Sequence, residues 1–219
     1  LALFFSLFGT PLLIKFLARR GYGQFIRDDG PQSHHTKRGT PTMGGIAIIA
    51  GAVLGVFGGK LINGESLSLS ALLVLFMMVG LGLVGFADDF IKTHKQRSLG
   101  LTGWAKIAGQ GVVAVIFAIL ALQIKDSSGW APASAAISVT RDTSVNLMAW
   151  GAGIGLVLFI IWIYFLVAST SNGVNIADGL DGLATGSTAM AIGAYAIIGF
   201  WQFNNSCFRL PDLHNCYEV

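Results

Sequence analysis

Charge is scarce in this chain. Lys, Arg, Asp and Glu make up 11% of its 219 residues, against about a quarter in ordinary soluble domains. That shortfall argues against a soluble globular fold. Cysteine is nearly absent: Cys207 and Cys216 both lie in the last polar segment, with no CxxC pair and no zinc-ligand spacing. An extracytoplasmic tail would permit a disulfide between them; two free thiols are the equal alternative. The chain holds no Walker A loop, no HExxH and no GxSxG, which excludes the P-loop, zincin and nucleophile-elbow chemistries. A pI near 9.0 suggests nucleic acid as a partner, but the net charge is only +3 and the basic residues sit between apolar blocks. No nucleic-acid partner is expected. Leu1 already stands inside an apolar run without a basic n-region, so no signal peptide is read, and the natural protein is expected to extend past both ends.

What the chain has in abundance is apolar sequence. Hydrophobic residues make up 53%, and the mean hydropathy is +0.68. They fall in six blocks, roughly 1–18, 43–59, 69–87, 107–124, 147–168 and 183–203. Each approaches the ~20 residues that a helix needs to cross ~30 Å of hydrocarbon. Most carry several glycines, as close helix packing in lipid requires. The expected fold is an all-α polytopic membrane protein, with residues 1–219 as a single integral membrane domain. The segment 125–146 alternates Thr, Val and Ser near 137–145 and reads as a short hairpin.

Lysine and arginine set the orientation. The segments 19–42, 88–106 and 169–182 share one side and hold Arg19, Arg20, Arg27, Lys37, Arg38, Lys92, Lys95, Arg97 and Lys106. The other side holds Lys60, Lys125, Arg141 and Arg209. Nine against four places the first three segments in the cytoplasm. Asp28, Asp29, Asp88, Asp89, Asp178 and Asp181 fall there too, six of the eleven acids.

Those loops carry the candidate chemistry. Asp88 and Asp89, in Gly85-Phe86-Ala87-Asp88-Asp89-Phe90-Ile91-Lys92, end an apolar helix. Acids there oppose the helix dipole, so capping does not account for them, whereas adjacent carboxylates can recruit a divalent cation or serve as base and orienter. Asn172, Asn175, Asp178 and Asp181 recur every third residue. In an α-helix that step drifts by ~60°, so the four converge only in 3₁₀ geometry or where Gly173, Gly179 and Gly182 break the helix. The bland reading is a polar Gly/Asp turn. The run from Asp28 to Gly45 leads into a helix that Thr42 can cap, with N–H groups at Gly44 and Gly45 and the charges of Lys37 and Arg38 suited to an anion. A positive-inside loop beside anionic lipid explains it equally. His34 and His35 read as solvated rather than as metal ligands. The stretch Lys92 to Lys106 is basic and suits a lipid phosphate or headgroups alike.

Together these motifs resemble the phospho-N-acetylmuramoyl-pentapeptide transferases, within the polyprenyl-phosphate N-acetylhexosamine-1-phosphate transferase superfamily (glycosyltransferase family 4). The resemblance rests on HHTKRGTPTMGG, ADDFIK, GLTGWAK and SNGVNIADGLDGLA in that order, and the first has an actinobacterial look. It implies a Mg²⁺-dependent reaction at the cytoplasmic face of the bacterial inner membrane. Undecaprenyl phosphate attacks the β-phosphorus of UDP-N-acetylmuramoyl-pentapeptide, giving lipid I and UMP for peptidoglycan. It implies Asp88 as base or phosphate-site acid beside Asp89, the two also as metal ligands. It places Lys92 and Asp181 on the uracil, Asn175, Asp178 and Thr42 along the nucleoside-sugar region, Lys37 and Lys106 on phosphate, and Asn172 as a support behind them. A homodimer is the family expectation. The family has about ten spans where this chain supplies six, and a further metal-binding aspartate and a histidine-rich motif would lie beyond Val219. His214, in the outer tail, is no substitute. The 219-residue piece alone is therefore expected to be inactive. The nearest rival is the same chemistry with UDP-N-acetylglucosamine. A transporter would need acids at mid-span, and a non-catalytic remnant is the third reading.

Overall fold

A computed structural model of the chain describes residues 1–23, 40–97, 99–125, 129, 131–138, 142–178 and 182–207. In chain order the elements are α1 (Ala2–Arg19), α2 (Gly45–Asn63), α3 (Leu69–His94), α4 (Gly103–Gln123), β1 (Ala136–Ser138), β2 (Asp142–Asn146), a 3₁₀ turn (Leu147–Trp150), α5 (Ala152–Ala177) and α6 (Leu183–Asn204). All six α-helices are long and apolar enough to cross a bilayer. The chain is a multi-pass helical membrane protein, as its apolar blocks predict. Two compact units emerge, Leu1–Ala168 and Ser169–Val219, each with its own internal packing.

Local sequence sets where the helices start and stop. Ser68 caps α3 by accepting the Ala71 N–H at 3.2 Å, and Thr102 caps α4 by accepting the Ala105 N–H at 3.3 Å. Gly64 closes α2 at φ 67, a left-handed backbone that glycine adopts without a Cβ penalty. β1 and β2 pair antiparallel, which is the hairpin expected near 137–145.

α3 and α5 run furthest past the C-terminal ends of their apolar blocks. α3 continues to His94 rather than ending near 87. Its 26 residues span ~39 Å, more than the ~30 Å hydrocarbon layer. Lys92 pairs with Asp88 and Asp89 at i,i+4 and i,i+3, and such pairs support a helix where no apolar face does. α5 likewise runs through Gly173 to Ala177. One internal glycine costs about 1 kcal/mol, too little to break a helix of 26 residues.

Small residues let the helices of the first unit approach closely, alongside a few buried large side chains such as Leu17, Leu73 and Phe159. Ala114, Ala118 and Ala121 of α4 are fully buried. A Cβ on Gly55 would fall 2.7 Å from the Ala2 Cα, and one on Gly51 would lie 3.0 Å from the Ser6 backbone nitrogen, so α1 and α2 touch backbone to backbone. Gly80 of α3 faces Val113 of α4, and Gly109 of α4 faces Val84 of α3. Tyr164 of α5 lies against Gly111 of α4. Large apolar side chains such as Leu3, Leu7, Leu61, Leu83 and Ile116 point outward, where lipid is their solvent. Helix association in lipid depends on this close van der Waals fit, because tails are as apolar as leucine.

Candidate active site

Four charged side chains from two helices meet at one end of the first unit. Asp88 and Asp89 sit in the last two turns of α3, where negative charge opposes the helix dipole. Lys106 extends from the first turn of α4, where positive charge opposes it as well. Each charge compensates the other: Lys106 Nζ lies 3.1 Å from Asp88 Oδ2. Lys92, one turn beyond the acids, reaches back to Asp88 Oδ2 at 2.6 Å and to Asp89 Oδ1 at 2.9 Å. Two residues placed against the local rule, each satisfied by the other, mark the kind of site where sequences depart from local preference for function.

The two acids have different surroundings. The Asp88 side chain is only 6% exposed. Its Oδ1 accepts the Leu101 backbone N–H at 2.8 Å, and its Oδ2 holds both ammoniums. Asp89 is more open, at 32% exposure; its Oδ2 accepts the Thr42 hydroxyl at 3.0 Å. Thr93 is buried and donates its hydroxyl to the Asp89 and Phe90 carbonyls at 3.1 and 3.0 Å, which secures the helical turn carrying the pair.

Thr42 does not cap α2 as expected. The cap position is Gly44, without a side-chain bond. Met43 intervenes with a left-handed backbone at φ 69 and is buried. A non-glycine residue there is uncommon and persists where its surroundings hold it. The hydroxyl of Thr42 is thereby free to bind Asp89 instead of the helix. An antiparallel bridge between Gly23 and Pro41, with the Thr42 N–H on the Tyr22 carbonyl at 3.4 Å, joins the flanks of segment 24–39.

The structure thus brings together Thr42, Asp88, Asp89, Lys92 and Lys106. The amide and carboxylate series belongs to the second unit. Asn172 and Asn175 lie on α5, and Asp178 follows in a turn whose N–H reaches the Val174 carbonyl at 2.9 Å. The helix is α-helical and unbroken at Gly173, so Asn172 and Asn175 sit ~60° apart around it. Asn175 and Asp178 are exposed. Gly182 adopts φ 81 as the residue preceding α6. Lys37, Asp181, His34, His35, Asp28 and Asp29 lie outside the described residues. Cys207 is disulfide-bonded, in line with the oxidised alternative for the last polar segment; Cys216 lies outside the described residues.

The donor set can be tested against a divalent cation. Among the described residues no group of three His, Cys, Asp or Glu side chains comes together. Mg²⁺ takes hard oxygen ligands and is commonly held by one or two carboxylates plus substrate phosphates. The Lys92 ammonium stands between Asp88 Oδ2 and Asp89 Oδ1, where a shared cation would sit, so the more accessible Asp89 is the carboxylate that fits that pattern.

The backbone part of the site was invisible to a reading of side chains. Gly100 and Leu101 enter the sequence reading only inside the basic stretch from Lys92 to Lys106 and as the first residues of GLTGWAK, yet Leu101 supplies the N–H on Asp88. The available signal was Gly100-Leu101-Thr102 directly before the helix that starts at Gly103.

The chain has close sequence relatives. The family model described as glycosyl transferase family 4 matches residues 71–210, well over half of the chain and including α3 to α6. The phospho-N-acetylmuramoyl-pentapeptide-transferase signature 1 matches residues 37–49, the stretch that contains Thr42. Among proteins named phospho-N-acetylmuramoyl-pentapeptide-transferase, that of Clavibacter sepedonicus is 59% identical over all of this chain and 62% of its own length. That of Clavibacter michiganensis subsp. michiganensis is 60% identical with the same coverage, and that of Kineococcus radiotolerans is 56% identical over 98% of this chain and 60% of its own. The chain spans about three fifths of the length of these relatives. With its acid pair, both lysines and the amide series all inside the matched region, the chain belongs to glycosyl transferase family 4.

Proposed function

We propose that the protein transfers phospho-N-acetylmuramoyl-pentapeptide from its UDP donor to undecaprenyl phosphate, releasing UMP and forming lipid I for peptidoglycan. The observation that carries the reading is the cluster of Asp88, Asp89, Lys92, Lys106 and Thr42 at one end of a membrane-spanning bundle. A soluble polyanion and a lipid phosphate can both reach such a position. The names of the relatives supply the donor.

The chemistry suits these groups. The attacking oxygen belongs to a phosphate that is already ionised, so the demand for a base is modest. The larger demand is to neutralise the pyrophosphate and the departing UMP. Among the described residues the site holds two ammoniums against two carboxylates. An ammonium has three donors. Lys92 spends two on the acids and Lys106 one, which leaves one N–H of Lys92 for a uracil carbonyl and N–H groups of Lys106 for phosphate oxygens. Asp88 keeps both lysines in place, the role of a phosphate-site acid, and is the base if the reaction uses one. Asp89, the more open carboxylate, would hold Mg²⁺. When bound, the cation supplies positive charge to the phosphates. Lys92 and Asp181 are assigned to the uracil. Asn175, Asp178 and Thr42 are assigned to the nucleoside-sugar region, Lys37 and Lys106 to phosphate, and Asn172 to their support. The site would face the cytoplasm, where the excess of Lys and Arg lies.

UMP release by the full-length gene product in detergent, with Mg²⁺ and undecaprenyl phosphate, tests the reading. Turnover of the muramoyl donor supports it; turnover of UDP-N-acetylglucosamine alone would move the protein to another pathway with the same chemistry.

A further inference from the structure

The turn before α4 approaches Asp88 more closely than any side chain would allow. A Cβ built on Gly100 would fall 2.5 Å from the Asp88 carbonyl oxygen and 2.8 Å from its Cγ, and would collide with Oδ1. The next residue, Leu101, donates its N–H to Oδ1 at 2.8 Å. Thr102 then caps α4, and Lys106, within the first turn of that helix, returns to Asp88 Oδ2. The stretch 100–106 therefore grips one carboxylate at both ends: a backbone N–H on one oxygen, an ammonium on the other. Gly100 is not at a left-handed φ, so it is needed for space, not for backbone freedom.

We propose that Gly100 is a positioning residue for the transfer reaction. Its missing side chain lets the turn close on Asp88, so that the Leu101 N–H fixes Oδ1 and turns Oδ2 toward Lys92 and Lys106. The donors for phosphate are then aligned before substrate arrives, which is where electrostatic stabilisation is most effective. A methyl group at position 100 opens the turn, releases Oδ1 and lets the α4 end carry Lys106 away. Displacement of catalytic groups by about 1 Å can cost ~10²-fold in rate. The inference rests on the transfer reading above and adds to it how the acid is held.

The test compares full-length wild-type protein with Gly100→Ala and Asp88→Asn singly and together, reading kcat and KM for the UDP donor and the melting temperature in detergent. The expected result for Gly100→Ala is a fall in kcat of at least about tenfold. KM should stay within about threefold and the melting temperature near wild type. In the Asp88→Asn background the same substitution should cost almost nothing further, because residues acting through one group are not additive. Asp88→Glu keeps the charge but pushes one more methylene into the same turn; kcat should fall nearly as far as in Asp88→Asn. This second variant keeps the proposal open to refutation if Gly100→Ala fails to fold. Wild-type kcat in Gly100→Ala or in Asp88→Glu overturns the proposal, as does a full additive loss in the double variant. A wild-type protein that releases no UMP from any donor overturns the transfer reading itself, a different outcome from an active enzyme indifferent to position 100.

Discussion

Thr42 donates its hydroxyl to Asp89 Oδ2 across 3.0 Å, joining the segment that leads into α2 to the end of α3, 47 residues further along the chain. Two of the loops that the Lys and Arg count assigns to one face thus meet at one carboxylate. Asp89 is partly open to solvent, so this bond orients the acid rather than burying it. Thr42→Val, which removes the hydroxyl and keeps the shape, is expected to lower kcat/KM about tenfold, the usual scale for one hydrogen bond to a charged group. Its melting temperature should be close to wild type. Thr42→Ser should retain most activity. Steady-state UMP release checks both.

The two lysines are expected to differ. Lys92 bridges both acids, whereas Lys106 contacts Asp88. Among the described residues, Lys92→Met leaves buried Asp88 with one ammonium and Asp89 with none. It is expected to lower stability by about 2 kcal/mol, less than a fully buried pair because Lys92 is about one-third exposed. It should lower kcat by about 10²–10³-fold. Lys106→Met should show a smaller loss of stability. Combining Lys92→Met with Asp88→Asn should recover part of the stability without recovering activity, since the buried carboxylate charge is gone while Lys106 and Asp89 each lose an ion-pair partner. Thermal unfolding in detergent beside single-turnover rates separates the two effects.

The packing of α1 on α2 yields a prediction independent of chemistry. Gly55 leaves no room for a Cβ against Ala2, whereas a Cβ on Gly59 would meet nothing within 4 Å. Gly55→Ala is expected to destabilise the fold by about 1–3 kcal/mol, the cost of overpacking a tight contact. Gly59→Ala should be neutral or slightly stabilising. Equal melting temperatures for the two variants would contradict the backbone contact.

Chelation tests the cation. With EDTA in excess, UMP release should fall to background, and added Mg²⁺ should restore it. Ca²⁺, larger and less demanding of octahedral geometry, should restore little. Asp89→Asn should raise the Mg²⁺ concentration needed for half-maximal rate. Unchanged Mg²⁺ dependence in that variant would remove Asp89 from the metal's ligands.

How much of this could be read from the sequence depends on the physics of each part. The spans were legible because the bilayer imposes a length and an apolar composition that no local detail overrides. The acids at the end of α3 were legible because they stand where the helix dipole disfavours them. The helix ends were not. Asp88, Asp89 and Lys92 extend α3 by side-chain pairing across one turn, an effect that hydropathy does not contain. The reading of Thr42 as a cap followed a sound preference of Thr for that position, but Met43 adopts a left-handed backbone that no sequence rule anticipates. Convergence of Asn172 and Asn175 required 3₁₀ geometry or a break at Gly173, and the helix stays α-helical and intact. The Gly100–Leu101 contact to Asp88 lies in the backbone, where residue types carry no label.

The most direct measurement of the central claim is UMP release by the full-length protein in detergent. Mg²⁺ and undecaprenyl phosphate are supplied, the muramoyl-pentapeptide and N-acetylglucosamine UDP donors are offered separately, and Asp88→Asn is run beside wild type. The account predicts release from the muramoyl donor alone, reduced at least about 10³-fold in Asp88→Asn. Release undiminished in Asp88→Asn, or no release by folded wild-type protein from either donor, would contradict it.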